Sequence, residues 1–72
     1  MLNLKTYIER IRELREDRDM KQKDIAQMLK TTQQVYSRYE MGITEIPIRH
    51  IITLAKFYNV STDYILGLTD KA

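Results

Sequence analysis

"KQKDIAQMLKTTQQVYSRYEMG", residues 21–42, decides the fold. It carries two apolar patterns of helical period with almost no chain between them. Ile25, Ala26 and Leu29 predict a short helix over about 22–29. Asp24 falls at its third position, where a carboxylate can accept backbone N–H groups, and Met20 can staple onto Ile25 from just before the cap. Lys21 is a poor residue for the cap itself. Lys30–Thr31 is a very short joint. Thr32 can cap a further helix over about 33–40, and Gly42 is placed to end it.

Outward from this pair the same period continues. Leu4, Ile8, Ile11 and Leu14 recur at three- and four-residue steps, with charged residues between them. This is an amphipathic first helix ending near Arg18–Asp19. After the loop Ile43–Ile46, Pro47 suits the first turn of a fourth helix, in which Ile48, Ile51, Ile52, Leu54, Ala55 and Tyr58 form a wide apolar stripe. Asn59–Val60 breaks the stripe. Ser61 caps a last short helix, with Asp63 in its first turn, and Gly67 stops it. Nothing alternates as a strand would. The expectation is an all-α, five-helix fold in a single domain spanning 1–72, with the tail 68–72 frayed.

A 72-residue chain can bury about 60% of the surface its unfolded form exposes, so its core must come from a few well-placed side chains. There is no cysteine, so neither a disulfide nor a thiolate metal site contributes. No signal peptide is visible, and no apolar run approaches the roughly 18 residues a membrane span needs. A cytoplasmic location is expected. The net charge of +2 is unevenly spread. Residues 21–38 hold Lys21, Lys23, Lys30 and Arg38 against Asp24 alone, whereas acids balance or exceed bases on either side. A local basic patch suits a polyanionic partner; an ordinary solvated face would look the same.

At about 100° per residue, Gln33, Gln34, Ser37, Arg38 and Met41 share an arc of about 140° on the third helix. Val35, Tyr36 and Tyr39 take the opposite arc, with Glu40 at its edge. The first arc is rich in planar donor–acceptor groups, where Glu and Lys would be the ordinary choice for solvation. A glutamine amide matches adenine N6 and N7, and arginine forks onto guanine O6 and N7, each worth about 1–3 kcal/mol of discrimination. Neutral filler on a helix that merely packs is the competing reading.

Two short helices joined by a tight turn have the spacing of a helix-turn-helix, and Ala26 is small enough for close approach. At this point the chain resembles the Cro/phage-repressor type, or xenobiotic-response-element family, over about residues 8–67. "IRELRE" is similar to the family's first helix, "KQKDIAQML" to its second and "TTQQVYSRYEMG" to its recognition helix. "EIPIRHIITLAKFYNVSTDYILG" is similar to the fourth and fifth. The resemblance implies phosphate contacts from Gln22 and Thr32, and base reading by Gln33, Gln34, Ser37 and Arg38. It also implies an ion pair of Arg15 with Glu40, joining the first helix to the end of the third. Lys23 is a further candidate phosphate contact, and Tyr36, otherwise a core residue, has a hydroxyl that could reach the duplex backbone.

The chain departs from the family pattern in three places. Lys30 stands where the turn usually carries glycine, and a left-handed conformation costs lysine about 1–2 kcal/mol, so the turn is expected to differ slightly. Glu45 sits in a loop that often carries basic residues, and it would repel DNA. Tyr36 replaces a branched aliphatic.

The implied activity is sequence-specific binding of double-stranded DNA by a transcriptional regulator, a repressor on a palindromic operator. One helix reads only a few base pairs, so a homodimer is expected. Ile46, Ile48, Tyr64 and Leu68 are its candidate interface residues, with packing inside one chain as the alternative for each. A protein partner is the competing function, and an exposed Ile43–Ile46–Ile48 patch would favour it. No enzyme, cofactor or metal site is expected: His50 is the sole histidine, without a carboxylate pair or a nucleophile–base set beside it.

Overall fold

The computed structural model describes residues 6–72. Five helices follow in order: α1 (Tyr7–Asp17), α2 (Gln22–Met28), α3 (Gln33–Glu40), α4 (Ile48–Tyr58) and α5 (Thr62–Ile65). No strand occurs among the described residues. Leu4, expected in the stripe of the first helix, lies outside them.

Local chemistry sets most of the helix ends. Thr6 accepts from Glu9 N at 3.3 Å while Glu9 accepts from Thr6 N at 3.2 Å, a reciprocal capping box at the start of α1. At α2 the cap residue Lys21 has no acceptor to offer, and Asp24 instead takes its backbone N–H at 2.9 Å. Thr32 accepts from Val35 N at 3.1 Å, and Ser61 from Tyr64 N at 3.0 Å. Gly42 closes α3 at φ 75°, and a side chain there would also meet Ile8 Cδ1. Pro47 was expected inside the first turn of α4. It is the cap residue instead, with extended backbone, and the helix begins at Ile48.

Each helix sends at least one fully buried side chain to the common core: Ile11, Ile25, Tyr36, Leu54, Tyr58 and Ile65. Burying a side chain of this size contributes about 1.5–3 kcal/mol, which makes such positions the main source of stability in so small a fold. α2 packs chiefly against α3, α1 bridges α3 and α5, and α4 rests on α5. The stripe predicted for α4 is wider than the surface the core offers. Ile51, Leu54, Ala55 and Tyr58 are buried, joined by His50, but Ile48 and Ile52 are exposed.

Long-range polar contacts tie the helices together. Arg10 lies buried on α1, with its guanidinium 4.0 Å from the centre of the Tyr64 ring and 2.8 Å from Asp70. Arg18 donates to the carbonyl of Tyr58 at 2.9 Å, satisfying an otherwise open carbonyl at the end of α4. The turn between α2 and α3 keeps the left-handed residue that lysine was expected to avoid: Lys30 has φ 58°.

Candidate nucleic-acid interface

The third helix turns two chemically different sides to its surroundings. Tyr36, Tyr39 and Glu40 are buried, while Gln33, Gln34 and Arg38 are exposed and Ser37 is half-buried. Gln33, Gln34, Ser37 and Arg38, with Gln22 and Met41, line a shallow open groove of about 300 Å³ between the start of α2 and the outer face of α3. The wheel spacing thus puts two amides, a hydroxyl and a guanidinium side by side on one surface.

The groove is held from beneath by a charged network. Arg15 Nε donates to Glu40 Oε2 at 2.8 Å and its terminal nitrogen donates to Oε1 at 3.0 Å, a forked pair joining α1 to the end of α3. Arg15 also donates to the carbonyl of Met20 at 2.9 Å, fixing the chain that enters α2. Gln22 Nε2 donates to Glu40 Oε1 at 3.1 Å. One carboxylate therefore gathers α1, α2 and α3.

Burial alone pushes the Glu40 pKa up, but Arg15, Tyr36 and Gln22 stabilise the charged form and hold it below its ordinary 4.5. Glu40 in turn supports the charge on Arg15, whose pKa is raised above its ordinary value mainly through their hydrogen bond.

Gln22 and Thr32 sit at the two helix starts that flank the groove. The Thr32 hydroxyl accepts from Val35 N and keeps a proton to donate. Lys23 is exposed on the first turn of α2.

Tyr36 does not belong with these residues. It is 0% exposed, and its ring meets Tyr39 edge-on with centroids 6.2 Å apart. Its hydroxyl is near enough to feel the Glu40 charge but has no well-formed hydrogen bond among the described residues. Burial first, and then Glu40, push its pKa up, so the hydroxyl stays protonated. A group enclosed in this way cannot touch a phosphate, and the expectation of such a contact is withdrawn. The spacing of α3 already assigned Tyr36 to the inner arc, and its larger ring simply fills the centre of the core.

Ile46 is also corrected. It was a candidate for contact with a second copy, yet it is 5% exposed and part of the core. Its burial breaks the proposed Ile43–Ile46–Ile48 patch. Ile48 and Leu68 are 76% and 68% exposed, and Tyr64 is half-buried beneath Arg10. Sequence reasoning missed Arg10: it was counted among the polar residues between the apolar positions of α1, and nothing local announces a partner 60 positions away.

Among the described residues no group of three or more His, Asp or Glu side chains is placed to hold a metal ion, and no helix is long and apolar enough to cross a membrane.

Comparison with known proteins gives this geometry a context. Residues 11–65 match the family model described as helix-turn-helix. An HTH-type transcriptional regulator of Bacillus subtilis, YobD, itself uncharacterised, is 36% identical over 64 residues. That match covers 89% of this chain and 57% of the relative.

Among solved structures, a transcriptional regulator from Listeria innocua shares the fold at a TM-score of 0.84 and 24% identity, over 93% of this chain and 63% of that one. The chain thus spans only part of the length of both bacterial proteins. The DNA-binding domain of the P22 c2 repressor (1–76) matches at a TM-score of 0.80 and 27% identity, over 99% of this chain and 92% of that one. The P22 c2 repressor in complex with a synthetic operator matches at 0.76 and 27% identity, over 86% and 94%. The chain belongs to the Cro/repressor-type, or xenobiotic-response-element, helix-turn-helix family, whose members are DNA-binding transcription regulators rather than enzymes.

Proposed function

We propose that this domain reads double-stranded DNA as part of a transcriptional repressor, with α3 lying in the major groove. The observation that carries this reading is the groove in which Gln33, Gln34, Ser37 and Arg38 face outward together beside Gln22. Arg38 and the two glutamines have the donor and acceptor geometry for base edges, and Ser37 can bond either kind. Gln22, Lys23 and Thr32 are the phosphate contacts that set the helix in register. The operator complex of the P22 c2 repressor supports this docking for a domain of the same fold.

A helix of this length reads a few base pairs. Useful specificity requires two copies on half-sites about 34 Å apart, and hence a palindromic operator bound by a homodimer. With Ile46 buried, Ile48, Leu68 and Tyr64 remain as its contact residues. Burial of Ile46 also removes the observation that would have favoured a protein partner as the main ligand.

Selection of bound sequences from a random DNA pool tests the proposal directly. The expected result is a short inverted repeat with centres one helical turn apart. Recovery of no enriched sequence would end the reading.

A further inference from the structure

A second recess lies on the Tyr39 side of α3, whereas Gln22 lies on the Glu40 side. Its volume is about 560 Å³, and its walls include Lys30 and Thr31 of the α2–α3 joint, Tyr39, and Arg49, His50 and Thr53 of α4. No carboxylate lines it.

Charge is the first clue. Lys30 and Arg49 are exposed, and neither forms an ion pair among the described residues. Two cations line this recess and no carboxylate does, a composition that suits an anionic ligand.

Backbone strain is the second. Three non-glycine residues adopt positive φ: Asp19 at 54°, Lys30 at 58° and Asn59 at 58°. Asp and Asn tolerate that region because their short polar side chains bond locally. Lysine has no such compensation; the short joint between the two packed helices imposes the conformation and thereby fixes Lys30 on the wall of the recess.

The third clue is the donor set. His50 is buried, with its ring 6.1 Å from that of Tyr39. Thr31 also lines the recess, while Thr53 is already donating to the carbonyl of Arg49 at 3.0 Å.

We propose that the Lys30–Arg49–His50 recess binds a phosphate group, with ammonium and guanidinium providing the charge and the imidazole an N–H donor. Guanidinium matches phosphate oxygens with two parallel N–H groups, and ammonium acts as a point charge beside it. The shared chemistry is the phosphate, carried by the backbone of a duplex or by a small phosphorylated molecule.

Burial, and then the charge of Arg49, hold the His50 pKa below its ordinary value. Lys30 from the joint and Tyr39 from α3 complete its surroundings. A bound phosphate opposes the effect of Arg49 and raises the His50 pKa.

The single histidine gives one imidazole signal to follow by NMR. Inorganic phosphate is titrated at constant ionic strength, with chloride replaced as phosphate is added. A saturable shift and a rise in the His50 pKa are expected, and both disappear in Arg49→Ala and Lys30→Gly. Glycine relaxes the left-handed joint, so Lys30→Gly should melt at a higher temperature while binding phosphate more weakly.

A second arm measures binding to a random-sequence duplex across a salt series. If the duplex backbone fills the recess, the slope falls in the two variants by about 0.9 for each phosphate no longer neutralised. An unchanged slope, with the response to inorganic phosphate abolished, assigns the recess to a free phosphorylated molecule. The site does not depend on the outer face of α3, and Arg38→Ala should leave the phosphate response intact. No saturable His50 response to phosphate or duplex, or an undiminished response in Lys30→Gly, overturns the proposal.

Discussion

The outer face of α3 and the surface running from α4 into the tail are both open to solvent, yet they are made of opposite materials. The first shows amides, a hydroxyl and a guanidinium, with Met41 as its apolar member. The second shows Ile48, Ile52, Leu66 and Leu68. Beneath part of it runs a small groove of about 180 Å³ lined by Tyr7, Ile46, Ile48, Ile51 and Leu66, with the Glu45 carboxylate at its edge as the one charged member.

Polar groups left out in water await a partner that is itself hydrated and hydrogen-bonding. Apolar side chains gathered in one region suit a dry contact. The difference also extends inward. The α3 face is braced by the Arg15–Glu40–Gln22 network, whereas Ile48 projects from the first turn of α4. In the proposed regulator the first surface meets DNA and the second meets another copy of the chain.

Removing the brace is the most drastic way to break this contrast. Arg15→Ala leaves the Glu40 carboxylate enclosed without its cation and should cost about 3–5 kcal/mol in chemical denaturation. The same carboxylate imposes a pH signature. Its folded pKa is depressed, so its contribution to stability is complete above 4.5 and is lost as pH falls below that value through the folded one. Stability measured against pH should therefore fall less steeply on the acid side in Glu40→Gln than in the wild type.

Next in size is Arg38→Ala. It should remove about 1–3 kcal/mol of preference at one base position of a selected operator and little on random DNA. Equal losses on both would show that Arg38 is not a base reader.

On the apolar surface, Ile48→Glu should abolish self-association in sedimentation while shifting monomer stability by no more than about 0.5 kcal/mol, because the position is already exposed. A substitution that unfolds the monomer instead would place Ile48 with the core.

The smallest effect is expected from Tyr36→Phe. Its hydroxyl lacks a well-formed hydrogen bond but lends some support to the Glu40 charge, so deletion should change stability little and DNA affinity should not change. A clear loss of affinity would reinstate it as a contact.

Much of the fold could be read from the sequence because its signals are local. Thr32, Ser61, Gly42 and Gly67 act on backbone within a few residues, so helix ends follow from short motifs. The outer face of α3 follows from angular spacing alone.

What escaped depends on distance or on competition for space. Arg10 is buried by Tyr64 and Asp70, far along the chain. Ile48 and Ile52 have the right period for the core, but Ile46 enters from the preceding loop and His50 takes a place on the buried side of α4. Lys30 keeps a conformation that propensity disfavours, because a joint this short between two packed helices leaves the backbone little alternative.

The Gln22 amide has one further consequence. Its nitrogen bears two hydrogens, and one of them points to the Glu40 carboxylate. The other remains for a second anion, so one side chain can stand between an acid of the protein and an oxyanion outside it. Glutamate at position 22 would bring two negative groups face to face, and leucine would leave both acceptors unserved. A carboxamide is the neutral group of that length that can satisfy both sides at once.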